Sequence, residues 1–578
     1  MRVALLLGCV FLCVAAAAVR AAEIEETGGS GHHAYLVNFV AGEDVHAFAK
    51  AHKATRVEHV VGGQWLVEWD EHPGEEAHSQ MRAASHSVRR LRELERTPRG
   101  VPMTAHPGTA DPESDRMWHM NGKFLRDETP VHLAVPLDVR GAGITVGIVD
   151  DGTNFAHPDL IRSYARTNSR AVGRTGDSPL PHAGSTHGTA TAGIVAAARD
   201  NGVCGSGIAP DAKYAAIRML GTGAHEADEA LALGHMCGRG DGDTSIYSNS
   251  WGPPDGTTRF EGVSPVVADM LEHCDSRGAI YVWAAGNGAT KLDTCSADGF
   301  VQSPHTIAVG GATYAGTPAW YTEPCPAVFV AAPSSGAVAG ITTTSTRNGM
   351  PSCRNDFGGT SAAAPAIAGV VALLLEANPH LRRRDVMHVL LQSAQTRMHH
   401  EWAHDEHFLT NAAYAFEKNG AGWYYSDVMG FGLPNATLAV QIAESWHPLP
   451  AGVSHVYSAP DLRAQKRSGG VCKHTEISFA VTADIAALED VYLRTKISAG
   501  SGIKLIDYIY LESPAGTKSY FFRNNKKHET SLEWTFKSVQ FWGESPVGTW
   551  KLALCNRAAY MATLRETSLI LHGYNPSR

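Results

Sequence analysis

The sequence contains no internal repeat, no low-complexity tract and, after residue 22, no apolar run of the ~20 residues that a membrane-spanning helix needs. It also lacks an excess of positive charge, with 49 Lys and Arg against 58 Asp and Glu and a formal net charge of −9. These absences exclude a repeat protein and argue against a nucleic-acid partner. What remains is a folded chain of 578 residues, 44% of them hydrophobic, with room for about three or four domains.

The N-terminal stretch MRVALLLGCVFLCVAAAAVRAAE has the pattern of a secretory signal peptide: an early Arg, an apolar run of about 15 residues, and then small residues. We expect cleavage near Ala22, and a membrane anchor is the alternative that the short apolar run disfavours. The mature chain is therefore predicted to be soluble, in the secretory pathway, and secreted or lumenal, without a membrane anchor. Of the ten cysteines, all but Cys9 and Cys13 remain after cleavage, and an oxidising compartment favours disulfides.

Composition changes along the chain predict three folded regions. Residues 23–99 combine strand-like and helical stretches, and end in the basic run SVRRLRELERTPR. From about residue 140 to 440, short apolar runs alternate with helical segments, which is typical of a parallel sheet buried on both faces. From about residue 447 onward, Thr, Ser, Tyr and Val dominate between turn signals. The predicted fold class is α/β, a doubly wound parallel sheet preceded by a small α+β unit and followed by an all-β sandwich.

Three motifs carry the groups of a serine-nucleophile site. GIVDDG ends a predicted strand at Asp150, STHGTATAGIVAA places His187 at a helix start, and NDFGGTSAAAPAIAGVVALLLE places Ser361 at the start of a buried helix with Pro365 in its first turn. A serine hydroxyl needs a base to take its proton, and that base needs a carboxylate to fix its tautomer. AAGNG supplies Asn287 as an oxyanion donor beside the helix start.

Each motif alone has a structural alternative: a strand-end turn, a helix cap, or a structural histidine. Together, the order Asp, His, Ser, with Asn between the last two, matches the arrangement of subtilisin. The set therefore predicts a serine endopeptidase of the subtilase type.

Finer detail resembles the kexin/furin-like proprotein convertases, over about residues 35 to 575. The resembling stretches are VDDGTNFAHPDL, AARDNGVCGSGIAPDAKYAAIRML, SNSWGPPDG, YVWAAGNG and DVMGFGL, together with the C-terminal sandwich. The resemblance implies a signal peptide (1–22), a propeptide that inhibits and assists folding (23–99), a subtilisin-like catalytic domain (100–446) and a stabilising P domain (447–578). It further implies protein and peptide substrates, the propeptide as an intramolecular inhibitor, and a monomer.

The resemblance also implies specificity for basic residues at P1 and P4. Asp255 and Asp298 match S1 positions, where carboxylates favour a guanidinium, while acids and an aromatic match the S4 side. The implied substrate-binding residues are Asp151, Glu226, Glu229, Ser250, Trp251, Gly252, Asp255, Glu261, Asp298 and Phe300.

One departure from the family pattern concerns P2. Asp151 matches one acidic S2 position, but the other, three residues before the catalytic His, is Gly184. The P2 requirement is therefore expected to relax. The chain's own segment Arg96-Thr97-Pro98-Arg99 has basic P4 and P1 residues and proline at P2. This agreement predicts autoprocessing at Arg99–Gly100, with an ordinary protease-sensitive linker as the alternative.

Calcium is the implied cofactor, at two sites. Asp111, Asp159 and Asn201 match the first site, and acids from distant loops can be joined in this way because calcium accepts six to eight oxygens in irregular geometry. Asp255, Asp293 and Glu323 match the second. The resemblance also implies disulfides Cys204–Cys353 and Cys295–Cys325. The remaining four cysteines are left as Cys237–Cys274 and Cys472–Cys555, a pairing that the sequence leaves open.

Three alternatives to this assignment remain. His400, Glu401 and His404 form a literal H-E-x-x-H motif, which would indicate a zinc protease if it lay on an apolar-backed helix with a third ligand. Its polar flanks favour a solvated histidine cluster. A broader-specificity degradative subtilase is the alternative within the proteases. A catalytically silent binding protein is disfavoured by the intact set of site residues.

Overall fold

The computed structural model describes residues 33–39, 45–61, 64–69, 85–90, 97–98, 113–122, 132–174, 176, 178–396, 415–464, 473–500, 502–523, 526–556 and 561–575. The predicted signal peptide lies outside these residues. The chain forms two compact units, the first of residues 1–59 and 63–91 and the second of residues 60–62 and 92–578. The predicted boundary between residues 99 and 100 stays a prediction.

The first unit is a small antiparallel sheet with a helix. Val37, Val45, Val67 and Trp69 form its core, as expected of an α+β unit. Its strands, in spatial order, are Arg56–His59, Gln64–Trp69, His33–Phe39 and Ser85–Arg90, and its helix is Val45–Ala51.

A seven-stranded parallel sheet forms the centre of the second unit. Five apolar runs between residues 140 and 440 predict strands, and all five belong to this sheet: GITVGIVD, YAAIRML, TSIYSNS, GAIYVWAAGN and HTIAVGG. Two edge strands, 170–171 and 328–333, were not predicted. In spatial order the strands are Val328–Pro333, Thr306–Ala312, Ile280–Ala284, Ile246–Asn249, Thr145–Asp150, Lys213–Arg218 and Arg170–Ala171. All their pairings are parallel, so their carboxyl ends meet at one edge, where α/β proteins place functional side chains.

Helices and an antiparallel hairpin complete the catalytic region. The helices are Trp118–Asn121, His187–Ala196, Glu226–Leu233, Pro265–Ser276, Thr360–Ala377, Arg383–Ser393 and Ala436–Ser445, and the hairpin strands are Ile341–Arg347 and Met350–Phe357. Two-residue strands occur at Thr97–Pro98, Trp251–Gly252, Ala394–Gln395, Glu417–Lys418, Tyr424–Tyr425 and Leu433–Pro434.

We call the helix Thr360–Ala377 the serine helix. The helix has 18 residues and is therefore longer than its apolar stretch AIAGVVALLLEA. Among the described residues, it is the one helix long and apolar enough to cross a membrane. It is nevertheless 89% buried within the protein, as expected of a core helix. It begins at Thr360, so Pro365 is its sixth residue and lies in the second turn, not in the first as expected.

The C-terminal region is the predicted β-sandwich, packed from two antiparallel sheets around a core of its own. One sheet contains Val453–Ser458, Leu462–Ala464, Ala487–Ala499, Ser531–Ser538 and Ala562–Tyr574, and the other contains Lys473–Val481, Ile506–Glu512, Lys518–Arg523 and Gly548–Asn556.

Three disulfides are confirmed: Cys204–Cys353, Cys237–Cys274 and Cys295–Cys325. The first attaches the hairpin strand that leads to the serine helix, and the third attaches the loop that carries Asp298. Cys555 is disulfide-bonded, and Cys472 lies outside the described residues.

Candidate active site

Asp150 and His187 form a hydrogen-bonded pair at the carboxyl edge of the sheet. Asp150 ends its strand, and His187 is the first residue of the helix His187–Ala196, here called the histidine helix. Both carboxylate oxygens lie 2.9 Å from Nδ1 of His187. Burial by itself lowers the pKa of His187, but the charge and hydrogen bond of Asp150 outweigh it and raise the pKa. Nδ1 is thereby the protonated nitrogen, and Nε2 is left with its lone pair.

Ser361 lies at the N-terminus of the serine helix, fully buried. Its Oγ donates to the carbonyl oxygen of Ser250 at 3.3 Å, and Oγ of Ser250 donates to the carbonyl oxygen of Ser361 at 3.0 Å. The second bond has a local cause: Pro365 has no N–H to give the carbonyl group four residues before it. Nε2 of His187 is buried and has no hydrogen-bond partner among the described residues. The structure therefore shows no hydrogen bond between Ser361 Oγ and His187 Nε2, and catalytic hydrogen bonds are often long or poorly aligned before substrate binds.

Asn287 follows the strand Ile280–Ala284 and faces the start of the serine helix. Its Oδ1 accepts the N–H of Thr360 at 2.8 Å and the hydroxyl of Thr360 at 3.1 Å. This turns Nδ2 the other way, where it is buried without a hydrogen-bond partner among the residues that the structure describes. A buried, unpaired amide donor costs free energy, and an oxyanion would use it.

Asp151 caps the histidine helix. Its carboxylate accepts the N–H of His187 at 3.1 Å and that of Gly188 at 2.7 Å. Burial, together with the charge of Asp150, raises the pKa of Asp151 to about 6. Gly188 is required here, because a Cβ would lie 2.4 Å from the carbonyl oxygen of Gly152.

Three of the implied substrate-binding residues, Ser250, Trp251 and Gly252, are consecutive, and we call them the substrate wall. Two of them pair with a segment of the same chain. Trp251 pairs with Pro98 and Gly252 with Thr97, in antiparallel register. The Trp251 ring makes edge-to-face contacts with the rings of Trp283 and Phe300. Phe300 is 1% exposed and stacks on Trp283 at 4.3 Å, so it lies inside this aromatic cluster and not at an open subsite edge.

The predicted subsite acids lie on neighbouring loops. Asp255 accepts the N–H of Asn287 at 3.1 Å, and Asp298 accepts the N–H of Phe300 at 2.8 Å. Glu261 forms an isolated β-bridge with Asp298. Glu226 and Glu229 both lie in the first turn of the helix Glu226–Leu233. Glu261 and Asp298 are thus neighbours, Asp255 lies beside Asn287, and Glu226 and Glu229 lie on a separate helix.

Gly184, at the position of the missing S2 acid, has a φ of +89°, which L-residues rarely adopt. A Cβ there would meet nothing within 4 Å. There is therefore open space for a side chain at residue 184, and its place in the S2 subsite stays a prediction.

The first expected calcium site fits a cation. Asp159 is fully buried, its Oδ1 accepts Nδ2 of Asn201 at 2.7 Å, and its Oδ2 has no hydrogen-bond partner among the described residues. Burial raises the pKa of Asp159 to about 6, because a low-dielectric environment disfavours the charged carboxylate. A cavity of about 310 Å³ is lined by Asn201, the partner of Asp159, and by Ala198 and Val203, among others. Asp111 lies outside the described residues.

The second expected calcium site fits a cation less well, because protein donors already occupy its carboxylates. Asp255 accepts the N–H of Asn287, Asp293 accepts that of Gly256 at 2.6 Å, and Glu323 accepts that of Gly288 at 2.9 Å. Asp293 also forms an ion pair with a lysine, Lys527, at 2.7 Å. The H-E-x-x-H motif at residues 400–404 lies outside the described residues.

A parallel sheet that presents Asp150, His187, Asn287 and Ser361 at one edge defines the protein as a serine endopeptidase of the subtilase type. The Subtilase family model matches residues 141–423, and the Proprotein convertase P-domain model matches residues 488–571. The serine protease of Aeromonas sobria, solved with its chaperone ORF2, shares this fold with a TM-score of 0.67 and 21% identity, over 82% of this chain and 96% of that one.

Relatives narrow the assignment. Neuroendocrine convertase 2 of Drosophila melanogaster is 33% identical over 80% of this chain and 72% of its own length. Furin of Mus musculus is 33% identical over 81% of this chain and 58% of its own length. The chain therefore belongs to the subtilisin-like proprotein convertases. It spans only 39% of the length of Furin-like protease 1 of Drosophila melanogaster, to which it is 32% identical.

Two residues of the site were not predicted. Thr360 orients the Asn287 amide, and its position directly before Ser361 was the available signal. Lys527 lies 234 residues from its partner Asp293, and no local pattern connects them.

Proposed function

We propose that this chain is a calcium-binding endopeptidase of the secretory pathway that cleaves precursor proteins after Arg, with a basic P4 residue and a relaxed P2. We further propose that it activates itself by cleaving Arg99–Gly100, and that residues 23–99 inhibit it until then. The observation that carries this proposal is the backbone pairing of Thr97 and Pro98 with Gly252 and Trp251.

The register of this pairing supports cleavage one residue beyond Pro98, after Arg99. Antiparallel pairing runs from Gly252 to Trp251 on the wall while it runs from Thr97 to Pro98 on the segment. The next wall residue is Ser250, whose carbonyl oxygen accepts the Ser361 hydroxyl. A peptide strand bound in this register presents its next residue, P1, beside the nucleophile. Arg99 and Gly100 themselves lie outside the described residues.

The side chains can perform acyl transfer in two steps. Oγ of Ser361 adds to the scissile carbonyl carbon as its proton passes to Nε2 of His187, and Nδ2 of Asn287 and the Ser361 N–H bind the resulting oxyanion. The tetrahedral intermediate collapses, the C–N bond breaks, and the leaving amine takes the proton from Nε2. Water then hydrolyses the acyl-enzyme by the same route and regenerates the Ser361 hydroxyl. The carboxylate of Asp150 accepts the N–H of Nδ1 and stabilises the imidazolium that forms.

Calcium would be held by Asp159 and Asn201, where it would supply positive charge to a buried carboxylate and join the loops that carry the two residues. Its contribution there is structural.

The test is the mature N-terminus, measured by mass spectrometry for the secreted wild type and for Ser361→Ala. We expect the wild type to begin at Gly100 and the variant to remain uncut. Cleavage of both at Gly100 would assign processing to another protease. A peptide library varied at P1, P2 and P4 then separates Arg-directed cleavage from a broader degradative specificity, and a serine-directed fluorophosphonate probe excludes a silent binding protein if it labels the wild type only.

A further inference from the structure

A buried lysine of the C-terminal sandwich lies against the acids of the second expected calcium site. The Lys527 side chain is 1% exposed, and its Nζ lies 2.7 Å from Oδ1 of Asp293. Nζ also donates to the carbonyl oxygens of Thr257 at 2.9 Å and Arg259 at 3.1 Å. A carboxylate and two carbonyl oxygens are ligands that calcium takes, yet here they receive the three N–H groups of an ammonium.

Lys527 joins the two loops that carry the predicted S1 acids. Thr257 and Arg259 follow Asp255 in one loop, and Asp293 precedes Asp298 in the other. The strand connection around Lys527 holds the first loop further: the N–H of His528 donates to the carbonyl oxygen of Thr258 at 2.8 Å, and Glu529 accepts the N–H of Phe260 at 2.6 Å.

Two further hydrogen bonds connect the Lys527–Asp293 pair to Asn287, the proposed oxyanion donor. Oδ2 of Asp293 accepts the N–H of Gly256, and the neighbouring residue Asp255 accepts the N–H of Asn287. The Lys527 ammonium therefore sets the position of Asp293, which orients the backbone beside Asp255. Without a positive partner, Asp293 would be a buried unpaired charge, which is strongly destabilising.

We propose that Lys527 is the resident cation of this acid group, in the place where a calcium ion was expected, and that it is a positioning residue for the S1 pocket. The sandwich then supplies the charge that a metal would supply, and the pocket acids need no divalent cation. The inference about the S1 pocket rests on the proposed function, whereas the inference about the cation does not.

The cation is tested by counting calcium. Equilibrium dialysis with calcium alone is performed on the processed, secreted enzyme as wild type, Asp159→Asn and Asp293→Asn. We expect Asp159→Asn to bind one calcium ion fewer than wild type and Asp293→Asn to bind the same number as wild type. Loss of a bound ion in Asp293→Asn would overturn the proposal. These counts hold whether or not the enzyme prefers Arg at P1, so a failure of the proposed specificity is distinguished from a failure here.

The positioning role is tested with Lys527→Met and the matched control Lys537→Met. Lys537 is also a buried lysine of the sandwich, and its Nζ donates to the carbonyl oxygens of Ser303 and Thr306 at 3.0 and 3.1 Å, not to Asp293 or to the loop that follows Asp255. We expect Lys527→Met to raise KM for an Arg-x-Pro-Arg peptide roughly tenfold and Lys537→Met by less than about twofold. Equal increases would overturn the proposal, because general packing of the sandwich would then be the cause.

A double variant covers the case in which Lys527→Met is not secreted. Lys527→Met/Asp293→Asn removes both charges, and replacing both partners of a buried pair costs less than removing one. We expect the double variant to be secreted. If Lys527→Met is also secreted, we expect the double variant to have the higher Tm. If Lys527→Met is not secreted and the double variant is not secreted either, the result contradicts the ion pair.

Discussion

Oδ2 of Asp151 accepts the backbone N–H of His187 at 3.1 Å, so the proposed general base is held by two carboxylates that are neighbours in the chain. Asp150 holds the ring through Nδ1, and Asp151 holds the main chain at the start of the histidine helix. An anion at a helix N-terminus also lies at the positive end of the helix dipole. One strand end thus fixes both the tautomer and the position of the base.

Asp151→Asn is expected to move the acidic limb of the kcat/KM profile to lower pH. The base must be neutral to act, and the charges of Asp150 and Asp151 raise the pKa of His187 while burial and Arg354 lower it. The pKa of Asp151 is about 6, so Asp151 is ionised where His187 titrates. Removing its charge therefore lowers the pKa of His187, and activity persists at more acidic pH.

The control for this profile is Asp211→Asn, which removes a partly exposed carboxylate paired with Arg140 at 2.8 Å. It should leave the acidic limb where it is in the wild type. If the acidic limb of the kcat/KM profile of Asp151→Asn stays in place or moves to higher pH, the charges of Asp150 and Asp151 do not act on His187 as described.

Asn287→Ala is expected to lower kcat by about 10²–10³ with little change in KM, as for loss of one oxyanion donor. Thr360→Val removes the hydroxyl bond of 3.1 Å to Asn287 Oδ1 and the bond of 3.1 Å that the hydroxyl accepts from the N–H of Gly286, and keeps the backbone bond of 2.8 Å. We expect Thr360→Val to lower kcat by less than about tenfold. Steady-state kinetics on one Arg-P1 peptide measure both, and an Asn287→Ala effect confined to KM would refute the oxyanion role.

The sequence predicts the sheet and the arrangement of Asp150, His187 and Ser361 well, because each residue is positioned by its own strand end or helix start. It predicts less where partners come from distant elements. Lys527 contacts Asp293 only because the sandwich folds against the catalytic region, and no periodicity marks that contact. Phe300 was expected at a subsite edge, but packing against Trp283 places it inside an aromatic cluster.

Calcium is expected to stabilise the enzyme more at pH 7 than at pH 4. Burial raises the pKa of Asp159 from 3.8 to about 6. Without calcium, the folded state therefore keeps a proton that the unfolded state loses, and stability falls as pH rises through this window. A bound cation favours the ionised carboxylate and removes this loss. Thermal unfolding with calcium and with a chelator, from pH 4 to 7, measures the difference.

Asp159→Asn supplies the control for the calcium effect. At a calcium concentration 100-fold above Kd, one site adds about 2.7 kcal/mol to the free energy of unfolding, and the variant should lose this gain at every pH. A calcium-dependent Tm that survives in Asp159→Asn would place the ion elsewhere.

Gly184→Asp is expected to restore a preference for basic residues at P2. The position has open space around a Cβ, and its φ of +89° makes any side chain there strained. Gly184→Asn carries the same backbone strain without the charge, so the ratio between the two variants isolates the electrostatic part. A carboxylate facing a P2 guanidinium should raise kcat/KM for Arg over Pro at P2 by about tenfold relative to Gly184→Asn. Equal P2 ratios for the two variants would show that residue 184 does not face the P2 side chain, and the relaxed P2 of the Arg96–Arg99 segment would then need another cause.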